Sequence, residues 1–335
     1  MRLITAAWLR AWDDLEPAWR EAVADLADRA VSGRAWPSPW ELSRIARLMQ
    51  AVNATSRALD GLAVQAQSHI TTGAAATVAV VAASEPAVIA SQYPAVVAAA
   101  AAEQIGGRLV PSALDAIVAR TTGQITSLTL PLSAEATEAL SRALIRGVAA
   151  GEHPNKVARD VLARVQGAFN GGLTRAINVA RTEMLDAYRE TSRYAHTVNA
   201  DVLDGWTWHA DLGPRCCTAC WVMHGRTYPA EVPGPWGHQQ CRCARLPRVK
   251  PWRELGIEMD EPADLMPNAQ ARFDALPHAR QVAVMGAARL ALYRSSAVTW
   301  ADLATRRDNP GWRPSYVPTP VRDLRRMAGL KPEVP

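Results

Sequence analysis

Residues 216–243 read CCTACWVMHGRTYPAEVPGPWGHQQCRC, and this window decides how the chain is read. It holds all five cysteines of the 335-residue sequence: Cys216, Cys217, Cys220, Cys241 and Cys243. A disulfide scaffold would spread its cysteines, whereas clustering in one short window points to a metal. Cys217-x2-Cys220 puts two thiolates on one side of a tight turn. A second donor set, His238, Cys241 and Cys243, begins after a gap of 17 residues, the separation at which many small zinc sites close a tetrahedron. The intervening stretch carries Gly225, Pro229, Pro233, Gly234, Pro235 and Gly237 and little that forms a core, so a metal would supply much of its order. The expectation is one structural zinc per chain, held by Cys217, Cys220 and a set drawn from His238, Cys241 and Cys243, which leaves five candidates for four places. Cys216 adjoins Cys217 and, in an extended chain, points the other way.

Catalytic readings of the same window are weaker. A catalytic zinc keeps an open position and needs a general base. Asp211, His209, His224 and Glu231 are nearest, and none belongs to a hydrolase signature or to the His-x-Glu pair of a deaminase. Cys217 paired with His224 or His238 as a nucleophile leaves the neighbouring thiols unexplained. His69, His153 and His278 lack a nucleophile elbow nearby, and there is no phosphate-binding glycine loop. No catalytic residue is assigned, and the chain is expected not to be an enzyme.

Outside the window the pattern is mainly α. Ala7, Leu9, Trp12, Leu15, Trp19, Val23 and Leu26 recur at helical spacing, ended by Pro37-Ser38-Pro39. A second amphipathic helix is expected from about Glu41 to about Gln67, after which Gly73, Pro86, Pro94 and Gly106-Gly107 punctuate the chain. A further helical block starts after Pro131, with Ser133 as cap and Leu140, Leu144 and Val148 as its stripe. It stops at Gly151, and another helix starts at His153-Pro154-Asn155. Gly171-Gly172 is read as a break before a helix of about Leu173 to Thr197. Within it, Arg181 and Glu183 lie two apart and cannot face each other; a buried ion pair from this helix to the cysteine region is expected. Val202 to His209 alternates like a strand, and helical periodicity returns at about Asn268. Beyond Asn309, Pro310, Pro314, Pro318 and Pro320 with Arg313, Arg322, Arg325 and Arg326 read as an extended basic arm that orders on docking. The expected organisation is a helical region over 1–130, a helical domain with a small β/loop zinc knuckle over 131–250, helices over 251–305 and the arm over 306–335.

Apolar residues are 49% and charged residues 21% of the chain, a globular composition. With 12 Trp, 2 Phe and abundant Ala, closely packed helices suit it better than a large β-sandwich. The net charge of +5 permits nucleic-acid contact without demanding it. Asp13, Asp14 and Glu16 interrupt any N-terminal apolar core, so no secretory signal is read. Glu85, Pro86, Gln92 and Pro94 are expected to cut the Ala-rich stretch 73–102 into pieces too short for a bilayer, giving a chain made in a cytoplasm with no membrane partner.

One family resemblance follows from these residues. Ala180-Arg-Thr-Glu183, then Trp206-x-Trp208, then Asp211 and Arg215-x-Cys217-x-x-Cys220 with Gly225 and Tyr228, then His238-x-x-Cys241-Arg-Cys243 and Pro247 resemble the Mu F-like minor head proteins of tailed bacteriophages. Leu144 to Gly151 with Val157 to Val161 resembles the helical lead-in, so the likeness covers about 131–249; Phe273 to Pro277 and Gly286 to Tyr293 are similar to what often follows. His224 replaces the usual acidic residue, adding a second possible nitrogen ligand, and Gln239-Gln240 replace the usual Pro-Asn. The resemblance implies a virion component inside the head near the portal, aiding head assembly and DNA packaging or delivery. Its implied partners are the portal protein and the major capsid protein, with packaged double-stranded DNA met through the basic arm. A head-maturation protease or metal-dependent hydrolase is the enzymatic alternative, and a DNA-binding module the third.

Overall fold

A computed structural model of the chain describes residues 1–32, 45–129, 154–309 and 312–330. The expected Pro37 turn, the capped block with Leu140, Leu144 and Val148, and the stop at Gly151 lie outside the described residues. Among those described, ten α-helices and two small sheets give a mainly α protein. The chain divides into two compact units. One draws on Met1–Ala75 and Ala119–Met184, the other on Ala76–Val118 and the chain from Leu185 onward.

The first unit is built from helix α1 (Arg2–Ser32), the early part of α2 (Ala46–Ala90) and the early part of α5 (Pro154–Val198). Trp8, Trp12, Leu15, Trp19, Val23 and Leu26 of α1 recur at helical spacing and are buried against Leu48, Leu59, Leu62, Ile70, Val165 and Phe169. Leu9, expected on this face, is 58% exposed; Trp8 takes its place. Each buried indole needs a partner for its N–H. Trp19 donates to Thr55 Oγ1 at 2.8 Å and Trp8 to the Phe169 carbonyl at 3.2 Å.

Three expected breaks are absent. Gly73 and Pro86 lie inside α2, and Gly171-Gly172 inside α5. Glycine in a helix costs only about 1 kcal/mol, which packing offsets here: a Cβ on Gly73 would lie 2.0 Å from Met184 Cε, and Gly172 faces Trp8 and Leu59. Pro86 lacks an N–H but sits close to the end of α2, so only one further turn is affected. Because α2 is unbroken, it is long and apolar enough to cross a bilayer by length and composition alone, contrary to the expected fragmentation. Its Ile70, Ala74, Val78, Val81, Glu85 and Ile89 are buried within the protein. Pro94 and Gly106 do bound a helix, α3 (Ala95–Gly106), which is followed by α4 (Pro111–Thr129).

The second unit holds the cysteine window. Strand β1 (Leu203–His209) is central in a three-stranded antiparallel sheet with β2 (Thr227–Tyr228) and β3 (Ala244–Val249). Between β1 and β2 lies the six-residue helix α6 (Thr218–Met223). Helices α7 (Ala269–Asp274), α8 (His278–Met285) and α9 (Ala287–Arg294) follow, α7 capped by the Asn268 side chain accepting from the Ala271 N–H at 2.9 Å. One core joins Trp206, Trp208, Trp221, Phe273, Leu290, Leu303 and Leu324.

The basic tail is not an extended arm. It folds as a hairpin of β4 (Ala304–Asn309) and β5 (Trp312–Pro318), then helix α10 (Val321–Met327). The reason is tertiary. The Tyr316 N–H donates to the Trp236 carbonyl at 2.9 Å, and the Tyr316 ring meets Trp208 edge-on at 5.6 Å. Arg313 pairs with Asp186 at 2.8 Å, and Leu324 is fully buried.

Candidate metal centre

Cys217 caps α6, its carbonyl accepting the Trp221 N–H at 3.1 Å. The first turn of that helix brings Cys220 back over Cys217, with the two sulfurs 3.5 Å apart. The Thr218 hydroxyl anchors the turn by donating to the Val284 carbonyl at 2.8 Å. The second donor set approaches from the loop before β3. A tight turn forms as the Cys241 N–H donates to the His238 carbonyl at 3.0 Å, with Gln240 at φ 60°. Gly237 lets this turn fold close: a Cβ there would lie 2.6 Å from both Cβ and Sγ of Cys241. From α5, Arg189 donates to the carbonyls of Cys243 at 3.1 Å and Cys241 at 2.5 Å, so a buried guanidinium pins the loop.

The five expected ligands converge. His238 Nε2 lies 3.1 Å from Cys217 Sγ and 3.7 Å from Cys220 Sγ, and Cys220 Sγ lies 3.6 Å from Cys241 Sγ. Two compact groups form, Cys217–Cys220–His238 and Cys220–Cys241–Cys243. Cys216 also lines this cavity, with Asp211, Arg215, Gln240 and Arg242 at its rim. That corrects the expectation that it points away. Alternation holds in a strand, but here Cys216 closes a turn onto the Gly213 carbonyl at 3.0 Å and Cys217 begins a helix. His224 is placed differently. Its Nδ1 accepts the Ala210 N–H at 3.0 Å and its ring packs on His209 at 5.2 Å, so it belongs to neither donor group.

The donors suit a thiophilic, borderline-soft cation. All five thiols are free. Contact with Cys220, and then with His238, pulls the Cys217 thiol down to about 5; contact with Cys220 and Cys243 pulls Cys241 down to about 2. Cys220 is pushed up by the thiols it faces, Cys216 first. The thiolate of Cys217 raises His238 to about 9. The imidazole is oriented for ligation: Nδ1–H donates to the Gln239 carbonyl at 2.7 Å, which leaves Nε2 to face the sulfurs. Sulfur and nitrogen donors at these separations fit a zinc-type ion.

Arg189 ties α5 to the window, and Asp186 ties it to β5 through Arg313; sequence reading singled out neither. It also missed a buried polar group in the same unit. Glu85 Oε1 meets His196 Nε2 at 2.7 Å, Arg245 Nε donates to His196 Nδ1 at 2.9 Å, and Ser192 donates to Glu85 Oε2 at 3.0 Å. Arg245 lies over the Trp206 ring, 4.5 Å from its centroid. Only the i, i+4 spacing of Ser192 and His196 was a signal, since Glu85 and Arg245 are far away in sequence.

No family model, characterised protein or solved structure matches the chain.

Proposed function

We propose that the chain is a structural minor head protein of a tailed bacteriophage, of the Mu F-like kind, and that its cysteine knuckle is stapled by zinc. The observation that supports the family reading is that its motif residues work as one constructed unit. Trp206 stacks on Tyr228 at 4.6 Å and sits opposite Pro247 in the sheet; Trp208 shares its core with Cys220, Cys241 and Cys243. The spacing therefore reflects one small fold, not scattered coincidences. Zinc suits the donor set because it takes thiolate and imidazole with no geometric preference of its own. When bound, it supplies a cross-link between α6 and the loop before β3. Cys217, Cys220, His238, Cys241 and Cys243 are the residues that would hold it, with Arg189 positioning the last two.

In this reading the protein acts inside the head near the portal. Its partners are the portal and the major capsid protein, and it carries no catalytic activity. Arg306, Arg307, Arg322 and Arg326 of the hairpin and α10 offer the contact to packaged double-stranded DNA. The test is proteomic: particles purified by density gradient from the strain that encodes the chain should contain it at low copy beside portal and capsid proteins. Its consistent absence from DNA-filled heads would defeat the reading. Zinc is tested separately, by elemental analysis of the purified chain.

A further inference from the structure

This inference rests on reading the knuckle as a metal centre, and it concerns how many ions the knuckle holds. In a tetrahedral site each ligand atom neighbours three others, and Zn–S bonds of about 2.3 Å set sulfur–sulfur edges of about 3.7 Å. Cys220 has three edges of that length, and a fourth donor stands beside it. Its Sγ lies 3.5 Å from Cys217, 3.6 Å from Cys241 and 3.7 Å from His238 Nε2, and Cys243 Sγ is within 4.8 Å of it. Four donors crowd around a single sulfur. They sort into two triads, each with all its atoms within 4.8 Å of one another, and Cys220 is common to both. A sulfur shared in this way has the neighbourhood of a bridging thiolate, which borders the ligands of two ions.

Charge points the same way. Cys220, Cys241 and Cys243 are 5%, 2% and 3% exposed. The four thiolates of Cys217, Cys220, Cys241 and Cys243 balance two divalent cations. We propose that the knuckle binds two zinc ions bridged by Cys220 Sγ, with Cys217 and His238 on one and Cys241 and Cys243 on the other. Two four-coordinate ions sharing one ligand take seven donors in all. Cys216, on the wall of the same cavity, offers a sixth, and the last position falls to water at the rim near Asp211 and Arg242.

Native mass spectrometry of the full chain purified with zinc should give two ions per chain, and Cys243→Ala should lower this to one. The unmodified chain provides a second measurement. As Co2+ is titrated in, thiolate-to-cobalt absorption should grow through two equivalents, while the paramagnetic resonance signal rises over the first and falls over the second as the bridge couples the spins. Saturation at one equivalent, with Cys243 alkylated by iodoacetamide in the loaded chain, overturns the two-ion centre and leaves a single-zinc staple standing. Absence of any bound metal overturns both.

Discussion

Gly237 shows how a residue without a side chain fixes a site. Any Cβ at this position would meet Cys241 at 2.6 Å and the Arg189 guanidinium at 3.1 Å. Cys241 cannot retreat, because the Arg189 bonds hold the carbonyls of Cys241 and Cys243. Gly237→Ala is therefore expected to cost about 1–3 kcal/mol of stability, the usual range for overpacking. It should also weaken zinc about 10–100-fold, as lost outer-shell support does. A chelator competition and a urea melt on the same preparation check both effects; an unchanged zinc affinity would show that the turn tolerates a wider path. The donor residues themselves were legible in the sequence, because short spacings on one chain segment constrain where side chains can go. Arg189 was not. It reaches the loop from a helix some fifty residues earlier, and an arginine on a helix face looks the same whether it faces solvent or a carbonyl.

Helices and strands carried a different error. Sequence reading treated glycine as punctuation, yet Gly73 and Gly172 sit inside helices where a neighbour approaches closely. Local preference is worth about 1 kcal/mol at such a position, and tertiary contact exceeds it. Gly61 of α2 is the converse case, with nothing within 4 Å of an added Cβ. Gly61→Ala should raise stability by up to about 1 kcal/mol in a denaturant melt, while Gly73→Ala should not, since Met184 must first move. A further link between elements is the group that joins α2, α5 and β3. Arginine only donates, so Arg245 Nε makes His196 Nδ1 an acceptor, and Nε2–H then donates to Glu85. The imidazole is thus neutral. Burial, opposed by Glu85, holds its pKa below the usual value. With the folded value depressed, the unfolded chain binds the extra proton as pH falls through about 6.5, so stability is full above that pH and declines below it. His196→Gln, which can still donate to Glu85 and accept from Arg245, should flatten the stability difference between pH 7.5 and pH 5 relative to the unmodified chain. An identical pH profile in the variant would place the dependence elsewhere.

At the level of the whole molecule, the two units depend on different sources of order. The first has its own tryptophan-rich core, with Trp8 and Trp19 almost fully buried and no metal donor group among its described residues. The knuckle of the second unit has a long glycine- and proline-rich stretch whose thiols face one another. Much of its free energy should therefore come from the ion, because binding energy at a site absent from the unfolded chain becomes folding energy. Removing metal should then act locally. After dialysis against a strong chelator, hydrogen exchange followed by mass spectrometry is expected to accelerate over 203–249, while the amides of α1 around Trp8 to Leu26 keep their protection. Far-ultraviolet dichroism should change little, because most of the helix lies outside the knuckle; near-ultraviolet dichroism should lose the contribution of Trp206, Trp208 and Trp221, which share a core with the thiols. Restoring zinc should reverse both signals. Loss of protection in α1 together with the knuckle would mean that α2 and α5, each of which supplies residues to both units, make the chain fold as one cooperative body.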